Sequence, residues 1–115
     1  MKRGDLFRVH KGNKNDTKDY RTYLIVSRQM LIDIPFPTLI CAPVRTKFGG
    51  LPTQVEIGID EGLKHDSAVY CDELISIPKS MITNYVGSLS DAKMEEVNAA
   101  LCIALAVGET LDMQG

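Results

Sequence analysis

Short runs of β-branched and aromatic residues, separated by Gly-, Pro- and Asn-bearing turns, fill the chain from Leu6 to Leu89; helical periodicity begins only at Ser90. That pattern restricts the fold to many short strands followed by one helix. Strands are expected at 6–9, 21–27, 38–44, 53–59, 68–71, 74–77 and 85–89. The polar stretch KGNKNDTKDY, residues 11–20, predicts a loop. Gln29 to Pro37 predicts another, although Leu31, Ile32, Ile34 and Phe36 are unusually apolar for one. Pro43 cannot donate to a ladder, so the end of the third strand is expected at an edge or bulge. Pro78 to Met81 reads as a single helical turn, and Asp60 to His65 as a turn around Gly62.

Ser90 is placed to cap the helix, with Asp91 in the first turn, where the dipole favours an anion. Met94, Val97, Leu101, Ala104 and Leu105 share one face, and Gly108 is placed to stop it. From Ala99 to Val107 nearly every side is apolar, which predicts burial on more than one side and hence a contact with a second copy. The expected architecture is a mainly β small barrel with a C-terminal α-helix. One domain covers residues 1–108, with a frayed tail at 109–115.

A chain of 115 residues buries only about two-thirds of its unfolded surface, so a partner would help to stabilise it. No apolar run approaches the length of a membrane span, and Met1-Lys2-Arg3 is not followed by an apolar leader, so a cytoplasmic location is expected. Cys41, Cys71 and Cys102 lie in apolar stretches about thirty residues apart, which predicts reduced core thiols rather than a metal or redox site. The net charge of −2 conceals an asymmetry: residues 1–50 carry +6 and residues 51–115 carry −8. A basic half of this kind suits an anionic partner, nucleic acid foremost. Within that half, the apolar strand TLICAPV ends abruptly on Arg45-Thr46-Lys47 and Gly49-Gly50. Cations and a hydroxyl where a buried strand emerges suit an anion site as well as an ordinary surface turn.

Six ordered blocks carry a family resemblance: RGDLFRV (3–9), RTYLIVS (21–27), CAPVRT (41–46), LPTQVEI (51–57), GLKHDSAVYCDELISIPKS (62–80) and VGSLSDAKMEEVNAAL (86–101). In order and spacing they resemble the MazF/PemK (Kid) toxin ribonucleases over residues 2–107. The resemblance implies an SH3-like small β-barrel of the CcdB/MazF type, a homodimer, metal-free cleavage of single-stranded RNA with no cofactor, and silencing by a cognate antitoxin protein. The chain departs from the family pattern in three places. The loop before the second strand keeps the family arginine as Arg21, but Thr22 replaces a proline and a Glu-Gln pair is missing. The family's catalytic threonine aligns with Arg45, while Thr46 follows one residue later. The Arg-Cys-Asp triplet of the PemK branch is Tyr70-Cys71-Asp72 here. These departures keep a second reading open, a non-catalytic or gyrase-directed binding protein of the same fold.

Metal-free cleavage by the 2′-hydroxyl leaves a 2′,3′-cyclic phosphate and a 5′-hydroxyl. It needs a base, charge stabilisation at phosphorus and help for the leaving oxygen. Arg21 suits the electrostatic role through its planar fork of donors. Thr46 offers a hydroxyl and Arg45 a further cation. For the base, Asp72, Asp16, Asp19 and His10 are candidates. Lys11, Lys14, Asp16, Lys18, Ser27, Arg28, Lys47, Gln54 and Tyr70 are candidate RNA contacts. Tyr20, Tyr23, Phe48 and Tyr70 offer rings on which bases could stack.

Overall fold

The computed structural model describes residues 1–10 and 20–109. Its strands are β1 (Asp5–His10), β2 (Tyr20–Ile25), β3 (Thr38–Arg45), β4 (Gln54–Ile57), β5 (Ser67–Tyr70), β6 (Ile75–Pro78) and β7 (Asn84–Ser88). Two α-helices, α1 (Gln29–Asp33) and α2 (Asp91–Ala104), and 3₁₀ turns at Ile59–Glu61, Cys71–Glu73 and Lys79–Met81 connect them. All described pairings are antiparallel, in the order β4-β5-β3-β2-β1-β7, with β6 also on β3. The result is a curled half-barrel with a C-terminal helix.

Both faces of the central strands are buried, which is why RTYLIVS reads as a nearly continuous apolar run. One face packs Leu6, Leu24, Ala42 and Val69 against Val97 and Ala100 of α2. The other gathers Phe7, Val9, Tyr23, Ile25, Leu39, Cys41, Ile77 and Ile82. Leu31 and Ile32 pack on this second cluster, and that anchorage explains why a segment expected to be a loop winds into the short α1. The apolar excess noted there belongs to a helix docking on the core.

Pro43 lies in the interior of the sheet, not at an edge. It faces Tyr23 of β2 on one side. On the other, β3 pairs with β6 through Cys41 and with β5 from Val44 onward. Ala42 and Pro43 fall in the gap between these two partners, where a missing N–H disturbs no ladder.

The turn after β4 bridges the two ends of the curled sheet. Gly62 takes φ 103°, a left-handed conformation, and a Cβ there would stand 2.7 Å from the Val86 carbonyl oxygen. A Cβ on Gly87 would come within 1.9 Å of the Glu61 carbonyl oxygen. Backbone meets backbone here, with no room for a side chain on either strand.

Ser90 caps α2 as expected, its hydroxyl accepting the Lys93 N–H at 3.1 Å. The helix stops earlier than Gly108. Ala106 takes the left-handed conformation with φ 56°. The Val107 N–H bonds to the Cys102 carbonyl at 2.8 Å and that of Ala106 to Ile103 at 3.2 Å. This is the Schellman closure that glycine usually supplies. Leu105, expected on the packed face, lies beyond this stop and is exposed; Ala100 takes the buried place instead. Ile103, Leu105 and Val107 form an uncovered apolar end. The expected tail beyond Glu109 lies outside the described residues.

Cys41 and Cys71 are core thiols. Burial pushes Cys41 up to about 12 and, aided by the neighbouring Asp72 charge, Cys71 up to about 11. Cys102 is exposed, contrary to the expectation that all three are buried: it sits on the side of α2 turned away from the sheet. No described helix is long and apolar enough to cross a membrane.

Candidate active site

Strand alternation fixes which side chains meet. The β2–β3 ladder ends at Thr22 opposite Val44. Arg21 and Arg45, each the next residue outward, therefore leave it on the same face, the one opposite Thr22 and Val44. Arg21 is exposed and follows Tyr23 and Val9 on that face. Its guanidinium makes a 3.4 Å contact with the Tyr20 carbonyl. Tyr70 of β5 pairs with Gln54 of β4, and both belong to the same face as Arg45. The Arg45 guanidinium lies 5.5 Å from the Tyr70 ring centroid.

Arg45 is held on a second side. Its Nη2 is 2.5 Å from Glu73 Oε1, with the two side chains 48% and 47% exposed. The hydrogen bond to Glu73 holds the Arg45 guanidinium above its ordinary pKa, so its charge is permanent. The Tyr70 hydroxyl donates to the Lys47 carbonyl, and the Gly49 N–H donates to Gln54 Oε1 at 2.6 Å. Those two bonds tie the strand-end loop 46–53 to β5 and β4. Asp72 points elsewhere: its Oδ2 accepts the Thr53 hydroxyl at 2.5 Å. Both acids belong to the turn Cys71–Glu73, which the buried Cys71 anchors inward.

Thr46, one residue past β3, lines a cleft of 590 Å³ beside Thr22, Val44, Lys64 and His65. Arg45 shares the rim of that cleft, whereas Arg21 borders neither it nor the adjoining cleft of 440 Å³. Alternation thus sets Arg45, Tyr70 and Gln54 on the Arg21 face, with Glu73 held on Arg45, while Arg45 also lines the 590 Å³ cleft and Thr46 lines both clefts.

Several sequence candidates fall away from this face. The Ser27 side chain is buried, its hydroxyl accepting the Ile40 N–H at 2.7 Å just beyond the end of the β2–β3 ladder. Arg28 is exposed but lies past the far end of β2 from Arg21. Tyr23 is core and presents no ring to a base. Tyr70 carries the Arg45 cation on its ring. Tyr20 meets His10 edge to face at 4.9 Å and sits under Arg8. His10 pairs with Tyr20 and so alternates away from Arg21. Phe48 is exposed in the 440 Å³ cleft. Lys11, Lys14, Asp16, Lys18 and Asp19 lie outside the described residues. Glu73 was missed in the sequence; its only signal there is its place immediately after an acid at the end of an apolar strand.

A curled antiparallel half-barrel capped by one helix, with cations at the open strand ends, is a fold this chain shares with solved small toxins. The chain belongs to the family of PemK-like, MazF-like toxins of type II toxin-antitoxin systems, matched over residues 2–105. It is 34% identical over 74 residues to endoribonuclease EndoA of Bacillus subtilis, a match covering 62% of this chain and 64% of that protein. An endoribonuclease solved in complex with its cognate antitoxin from a mycobacterial species superposes with TM-score 0.79 at 23% identity, over 96% of this chain and 99% of that one. The Mycobacterium tuberculosis toxin MazF-mt6 gives TM-score 0.77 at 22% identity, over 91% and 99%. At these identities the two solved structures speak for the fold.

Proposed function

We propose that the chain is a metal-independent endoribonuclease toxin that cuts single-stranded RNA sequence-selectively. The observation that carries this reading is the shared face of Arg21 and Arg45 at the open end of the β2–β3 ladder. Two guanidiniums on one face of neighbouring strand ends suit one phosphate, and their charge opposes the extra negative charge that develops on phosphorus. Arg45, rather than Thr46, takes the position of the family threonine, because alternation sets it beside Arg21. Lys47, Gln54 and Tyr70 flank the same phosphate position, and Lys11, Lys14 and Lys18 add to the positive charge of the first half of the chain, which favours RNA.

Two partners follow from the same reading. The uncovered apolar end of α2, with Ile103, Leu105 and Val107, joins a second copy into a homodimer. A cognate antitoxin with an acidic, apolar-anchored segment covers the +6 half and blocks RNA. The site of action is the cytoplasm, where mRNA is exposed.

The test is incubation of the purified protein with a long RNA in EDTA, followed by mapping of the ends. Discrete cuts bearing 2′,3′-cyclic phosphate and 5′-hydroxyl ends are expected. A folded protein that binds RNA or gyrase but makes no cuts would instead support the non-catalytic binding reading.

A further inference from the structure

We propose that Glu73 is the general base that takes the 2′-hydroxyl proton, an assignment that rests on the ribonuclease reading above. Two adjacent acids leave the turn Cys71–Glu73 and diverge. The carboxylate of Asp72 is engaged by the Thr53 hydroxyl at 2.5 Å. That of Glu73 reaches the site cation, with Oε1 2.5 Å from Arg45 Nη2. One carboxylate oxygen of Glu73 holds the guanidinium, while the side chain remains half exposed and open to substrate. Arg45 is fixed between this carboxylate and the Tyr70 ring, so the acid and the phosphate-binding cation keep a constant relation. A phosphate seated on Arg21 and Arg45 brings its own ribose within reach of the carboxylate beside Arg45. His10 alternates to the other side of β1, and neither it nor Asp72 is aimed at this position.

The step balances without any further reactant. The Glu73 carboxylate accepts the 2′-hydroxyl proton as the 2′-oxygen forms its bond to phosphorus. The bond from phosphorus to the 5′-oxygen breaks, and its electron pair leaves with that oxygen. The 5′-oxygen takes a proton from water, and Glu73 returns its own to solvent. Charge on the phosphorane is met by Arg21 and Arg45 throughout.

The test uses single-turnover cleavage of a short RNA in EDTA, with binding measured on the same RNA carrying a 2′-deoxyribose at the cut site. Glu73→Gln should lower the cleavage rate by about 10²–10⁴-fold and leave binding of the deoxy analogue within about twofold, because Gln keeps the size and polarity of the contact with Arg45. Formate should restore part of the rate to Glu73→Ala, where a small carboxylate can occupy the vacated space, and none to the wild type. Circular dichroism should show both variants folded. Cleavage by Glu73→Gln at the wild-type rate or faster overturns the assignment, since a carboxylate that only neutralises Arg45 would act as a brake. A slow Glu73→Ala that formate does not restore also overturns it, leaving Glu73 as a tether for Arg45. A wild type that binds the analogue but never cuts RNA refutes the ribonuclease reading itself.

Discussion

Replacing Arg45 by alanine separates the two strand-end residues that the sequence left as alternatives. The structural cost is small. The Arg45–Glu73 pair is about half exposed at both ends, so losing it costs at most about 1 kcal/mol after solvent screening. The contact with the Tyr70 ring adds roughly 0.5–1 kcal/mol at an exposed site. The variant therefore folds, with its melting temperature lowered by only several degrees. The catalytic cost is larger: a cation aimed at developing phosphorane charge is worth roughly 3–4 kcal/mol, or about 10²–10³-fold in rate. Single-turnover cleavage in EDTA by Arg45→Ala and Arg21→Ala should each fall by that factor. The double variant should fall by less than the product, because both act on one phosphate. Arg45→Lys should recover only part, since an ammonium lacks the planar fork. Thr46→Val, which removes a hydroxyl at constant shape, should leave the rate within about threefold of wild type, a loss under ~1 kcal/mol. The reverse pattern, a severe Thr46→Val with a mild Arg45→Ala, would refute the argument from alternation and move the chemistry to the 590 Å³ cleft.

Gly87→Ala should lower stability by about 1–3 kcal/mol or more, because a methyl 1.9 Å from the Glu61 carbonyl forces β7 off the bridging turn; an unchanged thermal melt would show that the two ends of the sheet are not in contact. Ile103→Asp should fold, since the side chain is 51% exposed in the single chain, but sediment as a monomer because a charge would be buried at the contact; a dimer as tight as wild type would remove this end of α2 from the interface. At neutral pH a thiol reagent should label Cys102 quickly, with Cys41 and Cys71 reacting only on unfolding. The same two thiols have raised folded-state values, so their contribution to stability is complete below about pH 9 and lost as pH climbs toward about 12 for Cys41 and about 11 for Cys71. Stability that rises over that alkaline range would contradict their burial.

Seven strands and the C-terminal helix were legible because their signals are local: β-branched runs, turn residues and a capping serine. Legibility failed where a partner strand decides. Pro43 signals an edge to anyone who sees one strand, and only the change of partner from β6 to β5 makes room for it inside the sheet. The helix end at Ala104 was hidden because Ala106 adopts a conformation that sequence assigns to glycine. The α1 turn was hidden because Leu31 and Ile32 find their core only after the sheet has formed. At the site, Arg21 and Arg45 could be named as cations, but their common face follows from a register that no single strand displays. Ser27 and Tyr23 looked available because burial is a property of the assembled sheet.

The same two-residue period bears on how a chain can depart from the family pattern at the third strand and still carry the proposed phosphate site. A strand presents only every second residue to one face. In this chain that residue is Arg45, which also lines the 590 Å³ cleft, and its neighbour Thr46 lines both clefts and by alternation turns from the Arg21 face, so a hydroxyl lost from that face is not recovered from the next position. An arginine at that position adds charge where a threonine adds one neutral donor. Added charge tightens the hold on phosphate in the ground state as well as in the transition state, and only the part that grows with the charge on phosphorus accelerates the chemical step. Glu73 Oε1 lies 2.5 Å from Arg45 Nη2, which on the reading of Glu73 as the base sets the proton acceptor beside that charge. The arginine at the strand end and the acid in the turn Cys71–Glu73 therefore form one unit, and the substitution at the strand end is intelligible only together with its partner across the sheet.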